Sequence, residues 1–302
     1  MKQPALLILL SYLLVYVVWG STYFFIKAAV DTIPPALVVA GRFILGAVIL
    51  GVIAAFRGGF RKLPPPRELA GAALLGILLL LLGNGLVTLA QKNLPSWVSS
   101  VVVACMPIYV AFYNLVLYRI RISAVRLGGA LVGIAGVTLI LVGRDAGVSA
   151  FGPTIFITVG GALCWALGTS LARSLPKPQD ILVSTAIQMA VTGLISLTIA
   201  LAGGIDPGTA IAGASPYSMA ALAYLVLAGA LAMVAYNHLL AMEPSFRVSS
   251  YSLVNPLIAV TLGFAAGEPA TPWFIFGAPL VLVGLVAILY GDALSARFRR
   301  QI

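Results

Sequence analysis

Charged residues are scarce in this chain of 302 residues. Only 9% of its residues are Asp, Glu, Lys or Arg, whereas roughly 25% is usual in soluble proteins. Apolar residues make up 61% of the chain and the mean hydropathy is +1.10. Such a composition excludes an ordinary soluble enzyme, and the apolar stretches are expected to face lipid.

Cysteine and histidine are almost absent as well. Cys105 and Cys164 both lie inside apolar runs, which excludes a disulfide framework. His238 is the single histidine, so a metal site or a histidine-based catalytic relay lacks its companions. The sequence therefore predicts neither an enzyme nor a bound cofactor, and we expect His238 to form a hydrogen bond between packed helices.

Acidic residues number only eight, and none falls in the middle of an apolar run. A cation at the bilayer centre is costly without a carboxylate partner, so a permanently cationic drug is a poor expected substrate. The net charge of +10 comes from basic residues scattered between the apolar runs. They form no continuous stripe, so nucleic acid is not an expected partner.

What the chain has instead is a series of apolar runs about 20 residues long, the length of a membrane-spanning helix. Strands of a membrane barrel would alternate polar and apolar residues over about ten positions, which these runs do not. The sequence predicts an all-α integral membrane protein with ten spanning helices, near residues 5–26, 35–56, 69–90, 96–118, 125–142, 152–172, 181–202, 217–240, 248–266 and 272–291.

Basic residues set the predicted orientation of these helices. Fourteen of the 18 Lys and Arg fall on one side, whereas Lys27, Lys92 and Arg144 fall on the other. The positive-inside rule then places both termini in the cytoplasm. Arg42 lies inside the second span, near its outer end, and we expect it to snorkel to the interface rather than bind an anion.

Residues 1–145 and 146–302 carry matching marks, which predicts two domains of five helices each. Because five is an odd number, the second half enters the membrane from the opposite face. Inverted repeats of this kind present one central site alternately to both sides. The matching marks are Trp19 with Trp165, Lys27 with Arg173, the Val-Ser-Ser at 98–100 with that at 248–250, and Pro107 with Pro256.

Aromatic and amide side chains inside the spans are the candidate substrate-binding residues. Tryptophan faces can take an ammonium group or an apolar side chain. A buried amide needs partners, and both substrate contact and interhelical hydrogen bonding remain open for it. Pro107 and Pro256 are expected to kink the fourth and ninth helices. The candidate binding residues are Trp19, Asn84, Met106, Trp165, Asn237 and Asn255.

Four short motifs follow one another along the chain: Val18-Trp19-Gly20-Ser21-Thr22 with Lys27, Gly83-Asn84-Gly85-Leu86, Asn255-Pro256, and Gly267-Glu268. In this order they resemble the ten-helix EamA-type exporters of the drug/metabolite transporter (DMT) superfamily. The resemblance implies a carrier of the bacterial inner membrane that exports amino acids or other small metabolites through a cavity between its halves. Asn84 and Met106 stand near places where exporters of aromatic amino acids carry bulky aromatics.

Two other functions stay open, a multidrug efflux carrier of the same superfamily and a non-transporting membrane scaffold. The expected partners are a small-molecule substrate and the lipid bilayer. Glycine-rich stretches in the fifth and sixth helices favour close helix packing. The chain is accordingly expected to be a monomer or a weak homodimer.

Overall fold

The computed structural model describes residues 3–93, 99, 102–142, 154–265 and 273–299, and all its regular structure is helical. Two short helices, Pro207–Ala212 and Ser245–Val248, link longer ones. The longer helices are α1 Gln3–Val30, α2 Pro35–Phe56, α3 Pro66–Ala90, α4 Met106–Tyr118, α5 Ala124–Val142, α6 Thr154–Leu171, α7 Ile181–Ala202, α8 Pro216–Met242, α9 Tyr251–Ala265 and α10 Trp273–Arg299.

Within the described residues, seven of these helices are long and apolar enough to cross a membrane: α1, α2, α3, α6, α7, α8 and α10. Helix α4 and the Ala124–Ile140 part of α5 are apolar but shorter. The fold is thus that of an all-α membrane protein. The boundary at 145/146, Glu268 and both chain ends lie outside the described residues.

Proline and capping side chains determine where several helices begin. Proline occupies the first turn of α2, α3 and α8, where its missing N–H costs no hydrogen bond. Asp180 caps α7 by accepting from the N–H of Leu182 and Val183 at 2.8 and 3.2 Å. Most predicted boundaries lie within a few residues of these. Two differ more: α4 begins at Met106, where the prediction began at residue 96, and α10 continues to Arg299.

Helix α3 is not regular along its length. Its middle, Gly76–Asn84, is a π-helix, with α-helical turns on both sides. A long π-helical segment is rare, and such segments occur frequently at functional sites. The segment ends at Asn84, which brings an irregular backbone to one of the predicted site residues.

Hydrogen bonds between helix ends define two faces of the bundle. On the first face, Tyr118 Oη lies 2.7 Å from Ser174 Oγ. Most of the basic residues belong to loops on this side, and we call it the basic face. On the opposite face, Lys27 Nζ donates to Gln91 O at 2.9 Å and Ser218 Oγ donates to Ala28 O at 2.7 Å.

Helix packing in the first half of the chain is repeated in the second half. Helix α1 packs on α8 and α9, and its counterpart α6 packs on α3 and α4. Likewise α2 packs on α8, and its counterpart α7 packs on α3. Two further pairs, α2 with α7 and α5 with α10, join counterparts directly. The neighbours of each helix are therefore equivalent in the two halves.

Glycines bring α5 and α10 into close contact. A Cβ atom on Gly136 would lie 2.7 Å from the carbonyl oxygen of Gly277, and one on Gly129 would lie 2.3 Å from the Ala287 Cβ. At one end of the pair, Arg126 forms an ion pair with Asp292 at 2.8 Å. The glycine surface predicted for helix packing is thus used within the chain.

Candidate functional site

A cavity of about 60 Å³ lies between the two halves. Its walls come from both halves, with side chains of α1, α2, α3, α4, α6, α8 and α9. On the scale of about 10–15 Å³ for each enclosed water, it has room for a few water-sized groups. Five of the six candidate binding residues line it: Trp19, Asn84, Met106, Trp165 and Asn255.

Four aromatic rings pack together beside this cavity. Trp19 and Trp165, at equivalent positions of the two halves, meet edge to face with ring centroids 5.2 Å apart. Tyr236 and Tyr251 each lie 4.7 Å from Trp19. We call these four residues the aromatic cluster. All four are at most 8% exposed, and aromatic pairs in such geometries contribute about 0.5–1.5 kcal/mol each beyond burial.

Hydroxyl groups tie the aromatic cluster together. Tyr236 Oη accepts from Trp165 Nε1 at 3.0 Å and lies 2.5 Å from Thr169 Oγ1. Thr169 also donates to the carbonyl of Trp165 at 2.8 Å. The cluster draws on α1, α6, α8 and α9, which are helices of both halves. Three of its members, Trp19, Trp165 and Tyr251, line the cavity.

Arg42 corrects an expectation from the sequence. It does not snorkel to the membrane interface, since it is only 4% exposed and lines the cavity. Its NH1 donates to Asn84 Oδ1 at 3.2 Å, and its guanidinium carbon lies 5.1 Å from the centroid of the Phe43 ring. Hydropathy places a residue along the span, but the interior face of α2 follows only from its packing on α3, α7 and α8.

Asn237 lies away from the cavity. Its Nδ2 donates to Thr185 Oγ1 at 2.9 Å and to Gln188 Oε1 at 3.3 Å, both on α7. The residue is 6% exposed, so these bonds join α8 to α7 in the interior. In this conformation Asn237 therefore joins two helices and does not line the cavity.

The two amides occupy equivalent places. Asn84 on α3 bonds Arg42 on α2, and Asn237 on α8 bonds Gln188 on α7. Two glycines also have equivalent contacts in the two halves. Gly229 on α8 faces the Arg42 side chain, and Gly76 on α3 faces the Gln188 backbone. The two halves share one pattern of helix contacts, with arginine in the first half and glutamine in the second.

One departure from this equivalence concerns the residue before each amide. Tyr236 precedes Asn237 on α8, and Gly83 precedes Asn84 on α3. The Tyr236 ring packs against Trp19, whereas Gly83 lets the Trp165 indole pack directly on its backbone, since an added Cβ would lie 2.8 Å from the indole. Gly83 lines the cavity and Tyr236 does not, and sequence reasoning did not identify this pair.

The remaining candidates are placed as follows. Met106 is 1% exposed and begins α4, with Pro107 in the first turn after a break at Cys105. Pro256 lies inside α9, next to Asn255. Asn255 is 2% exposed, and its Oδ1 has no hydrogen-bond partner among the described residues.

His238 belongs to a second cavity, of about 550 Å³, between α1, α7 and α8. Its Nδ1 lies 3.2 Å from Ser11 Oγ, so the imidazole joins α8 to α1. Aliphatic side chains of the three helices form most of the walls of this second cavity, and its polar lining residues are Ser11, Arg57, Gln179, Asp180 and His238.

Similarity to known proteins covers nearly the whole chain. Its sequence matches the family described as the EamA-like transporter family over residues 6–142 and again over 152–290. The uncharacterized inner membrane transporter YedA of Escherichia coli K12 is 32% identical over 278 residues, covering 90% of this chain and 88% of YedA. The uncharacterized transporter YvbV of Bacillus subtilis is 24% identical, covering 93% and 90%.

A relative of stated activity is also similar. The S-adenosylmethionine/S-adenosylhomocysteine transporter of Chlamydia muridarum is 24% identical over 286 residues, covering 91% of this chain and 89% of that transporter. One solved crystal structure superposes with a TM-score of 0.73 at 17% identity, covering 93% of this chain and 96% of the other. At that identity the likeness shows a shared fold alone.

Proposed function

This chain belongs to the EamA-like transporter family, and on that premise we propose that it exports amino acids and related small zwitterionic or neutral metabolites. Membership makes it a membrane transporter of the DMT superfamily with two EamA repeats, and not an enzyme. We place it in the bacterial inner membrane, where the name of YedA places that relative.

The topology that we propose has ten spanning helices and both termini in the cytoplasm. Fourteen basic residues then lie on the cytoplasmic side, which is the basic face. Residues 1–145 and 146–302 form the two halves, related by inversion. The repeated helix neighbours support this relation, because each helix of the first half packs as its counterpart does.

One observation carries the proposed function: the cavity lies where the equivalent tryptophans of the two halves meet. In a carrier built from inverted repeats, the substrate binds at the repeat interface, and the two halves exchange conformations to change access. Asn84 faces the cavity here and Asn237 does not. Exchange of the two conformations would bring Asn237 into the cavity in the other state.

Two further features support the substrate class. The Chlamydia relative is named for S-adenosylmethionine and S-adenosylhomocysteine, and both compounds contain an α-amino-acid group. Buried Arg42 on the cavity wall would repel a cationic drug, and no described acidic side chain pairs with it. The zwitterionic substrate is therefore favoured over multidrug efflux.

The test is transport by the purified protein in liposomes, loaded with pooled unlabelled amino acids and supplied outside with labelled ones. We expect counterflow of labelled amino acids into liposomes that contain the protein, with or without a pH gradient, and none into loaded liposomes that lack the protein. Absence of counterflow for every amino acid in the pool would contradict the proposed substrate class.

A matched pair of variants links transport to the cavity. Ala162 lines the cavity and is 1% exposed, whereas Ala223 on α8 is exposed. Ala162→Leu adds three carbons to a space of about 60 Å³ and should abolish counterflow. Ala223→Leu makes the same chemical change outside the cavity and should leave transport intact. Equal transport by both variants would mean that the substrate passes elsewhere.

A further inference from the structure

Arg42 carries a charge that the described residues do not neutralise. The guanidinium is 4% exposed, and no described carboxylate forms an ion pair with it. Its hydrogen bond goes to the neutral amide of Asn84, and its Nε has no partner in the described part of the chain. A buried charge whose described partners are neutral is expensive, because no described counter-charge offsets the hydration that the guanidinium loses.

The surroundings of Arg42 make room for the guanidinium. At Gly229, an added Cβ would lie 3.0 Å from both Nε and NH2 of Arg42. On the other side, Asn84 holds NH1 from the end of the π-helical segment. The side chain is thus confined between α3 and α8 and lines the cavity.

The equivalent position in the second half shows that helix packing does not need this charge. Gln188 is fully buried, donates from Nε2 to Ser184 Oγ at 3.3 Å and accepts from Asn237 at 3.3 Å. A neutral amide thus satisfies the same helix contact at the counterpart of Arg42. Compared with the amide of Gln188, the Arg42 guanidinium adds a positive charge and several parallel N–H donors that this helix contact does not require.

We propose that Arg42 binds the carboxylate of the transported molecule, so that a carboxylate is required of every substrate. A guanidinium presents parallel N–H donors that match the two oxygens of a carboxylate. Asn255 lines the same cavity, and its Oδ1, which has no hydrogen-bond partner among the described residues, supplies an acceptor for an α-ammonium group. This inference deepens the proposed function and rests on it, because it names the recognised group of the amino-acid substrate.

The experiment compares competitors that differ only at the carboxylate. Counterflow of labelled L-leucine, L-serine and L-alanine is measured against each unlabelled acid and against its carboxamide, leucinamide, serinamide or alaninamide. For the unmodified protein, we expect the acid to compete about tenfold or more better than its amide. Equal competition by acid and amide would overturn the proposal.

Variants assign the preference to Arg42. Arg42→Gln should remove the acid-over-amide preference, whereas Arg42→Lys, which keeps the charge without the fork, should retain part of it. Gly229→Ala should reduce the preference by displacing the guanidinium. Gly160→Ala is its matched control, since no atom lies within 4 Å of an added Cβ there. An unchanged preference in Arg42→Gln would contradict the assignment.

A second measurement separates this proposal from the proposed function. The melting temperature of the purified protein in detergent is recorded with lactate, propionate and the amino acids, and with the corresponding amides. Suppose that lactate or propionate raises the melting temperature, that Arg42→Gln abolishes this effect, and that no amino acid shows counterflow. The carboxylate site would then be supported and the proposal of amino-acid export would be rejected. If no carboxylate stabilises or competes, the carboxylate site itself is rejected.

Discussion

Leucine substitutions at Asn84 and Asn237 should have opposite consequences, although the two amides occupy equivalent places in the two halves. Leucine roughly preserves the volume of asparagine and removes its hydrogen bonds. Asn84 is half-buried at the cavity and bonds Arg42, whereas Asn237 is 6% exposed and bonds Thr185 and Gln188. The first change should impair transport, and the second should impair stability.

The magnitudes follow from what each change leaves behind. Asn237→Leu leaves Gln188 Oε1 buried without its donor, while Thr185 keeps its bond to the Ile181 carbonyl at 2.6 Å. One stranded acceptor and a lost interhelical bond cost about 1–2 kcal/mol of stability. Asn84→Leu frees Arg42 NH1 beside a cavity that can admit water, so its cost in stability is smaller. Its cost in substrate binding should be about 1–3 kcal/mol, or roughly 5- to 150-fold in transport.

Melting temperature in detergent and counterflow per folded molecule measure the two effects separately. We expect Asn237→Leu to lower the melting temperature and Asn84→Leu to lower counterflow with little change in melting. If Asn84→Leu instead lowers the melting temperature and leaves transport per folded molecule intact, this amide only joins helices. The substrate cavity would then be misplaced.

Three other predictions concern topology, packing and energy coupling. A reporter fused after Ile302 should be active only if it is a type that folds in the cytoplasm, and periplasmic activity there would overturn ten spans. Gly136→Leu should destabilise the protein by about 1–3 kcal/mol or more because α10 lies against it, whereas Gly128→Leu, with open space at its Cβ, should melt normally. Because the sequence has no carboxylate in the middle of a span, the protein should act as a facilitator or exchanger. Strong proton-driven accumulation of substrate that persists in the Glu268→Gln and His238→Gln variants would refute this prediction.

Helix existence was readable from the sequence because a bilayer imposes one strong rule, namely that apolar runs long enough to span it become helices. Seven of the predicted spans accordingly appear as described helices long enough to cross a membrane, whereas α4 and the apolar part of α5 are shorter than predicted. The π-helical middle of α3 was not foreseeable, since an apolar run such as Gly76–Asn84 is equally compatible with an ordinary α-helical span. Its irregularity depends on the neighbours of α3, which hydropathy does not report.

The positions of some side chains could likewise be predicted from the sequence, and those of others could not. Trp19 and Trp165 were recognisable as a pair because their spacing to a following basic residue is the same in both halves. Arg42 was misplaced because its depth along α2 suits snorkelling, and only the helix contacts show which face it occupies. Tyr236 carried no comparable mark, since a tyrosine in an apolar run is common at the membrane interface.

Tyr236 and Gly83, different residues at equivalent places, make the two halves unequal partners in any exchange of conformations. Two access states related by such an exchange differ in free energy, because a tyrosine ring packs on a tryptophan at one place and a glycine backbone does so at the other. A facilitator built this way half-saturates at different substrate concentrations on its two sides. Detailed balance still requires equal substrate concentrations on the two sides at equilibrium. The tyrosine therefore affects the concentration at which transport saturates in each direction and leaves that equilibrium unchanged.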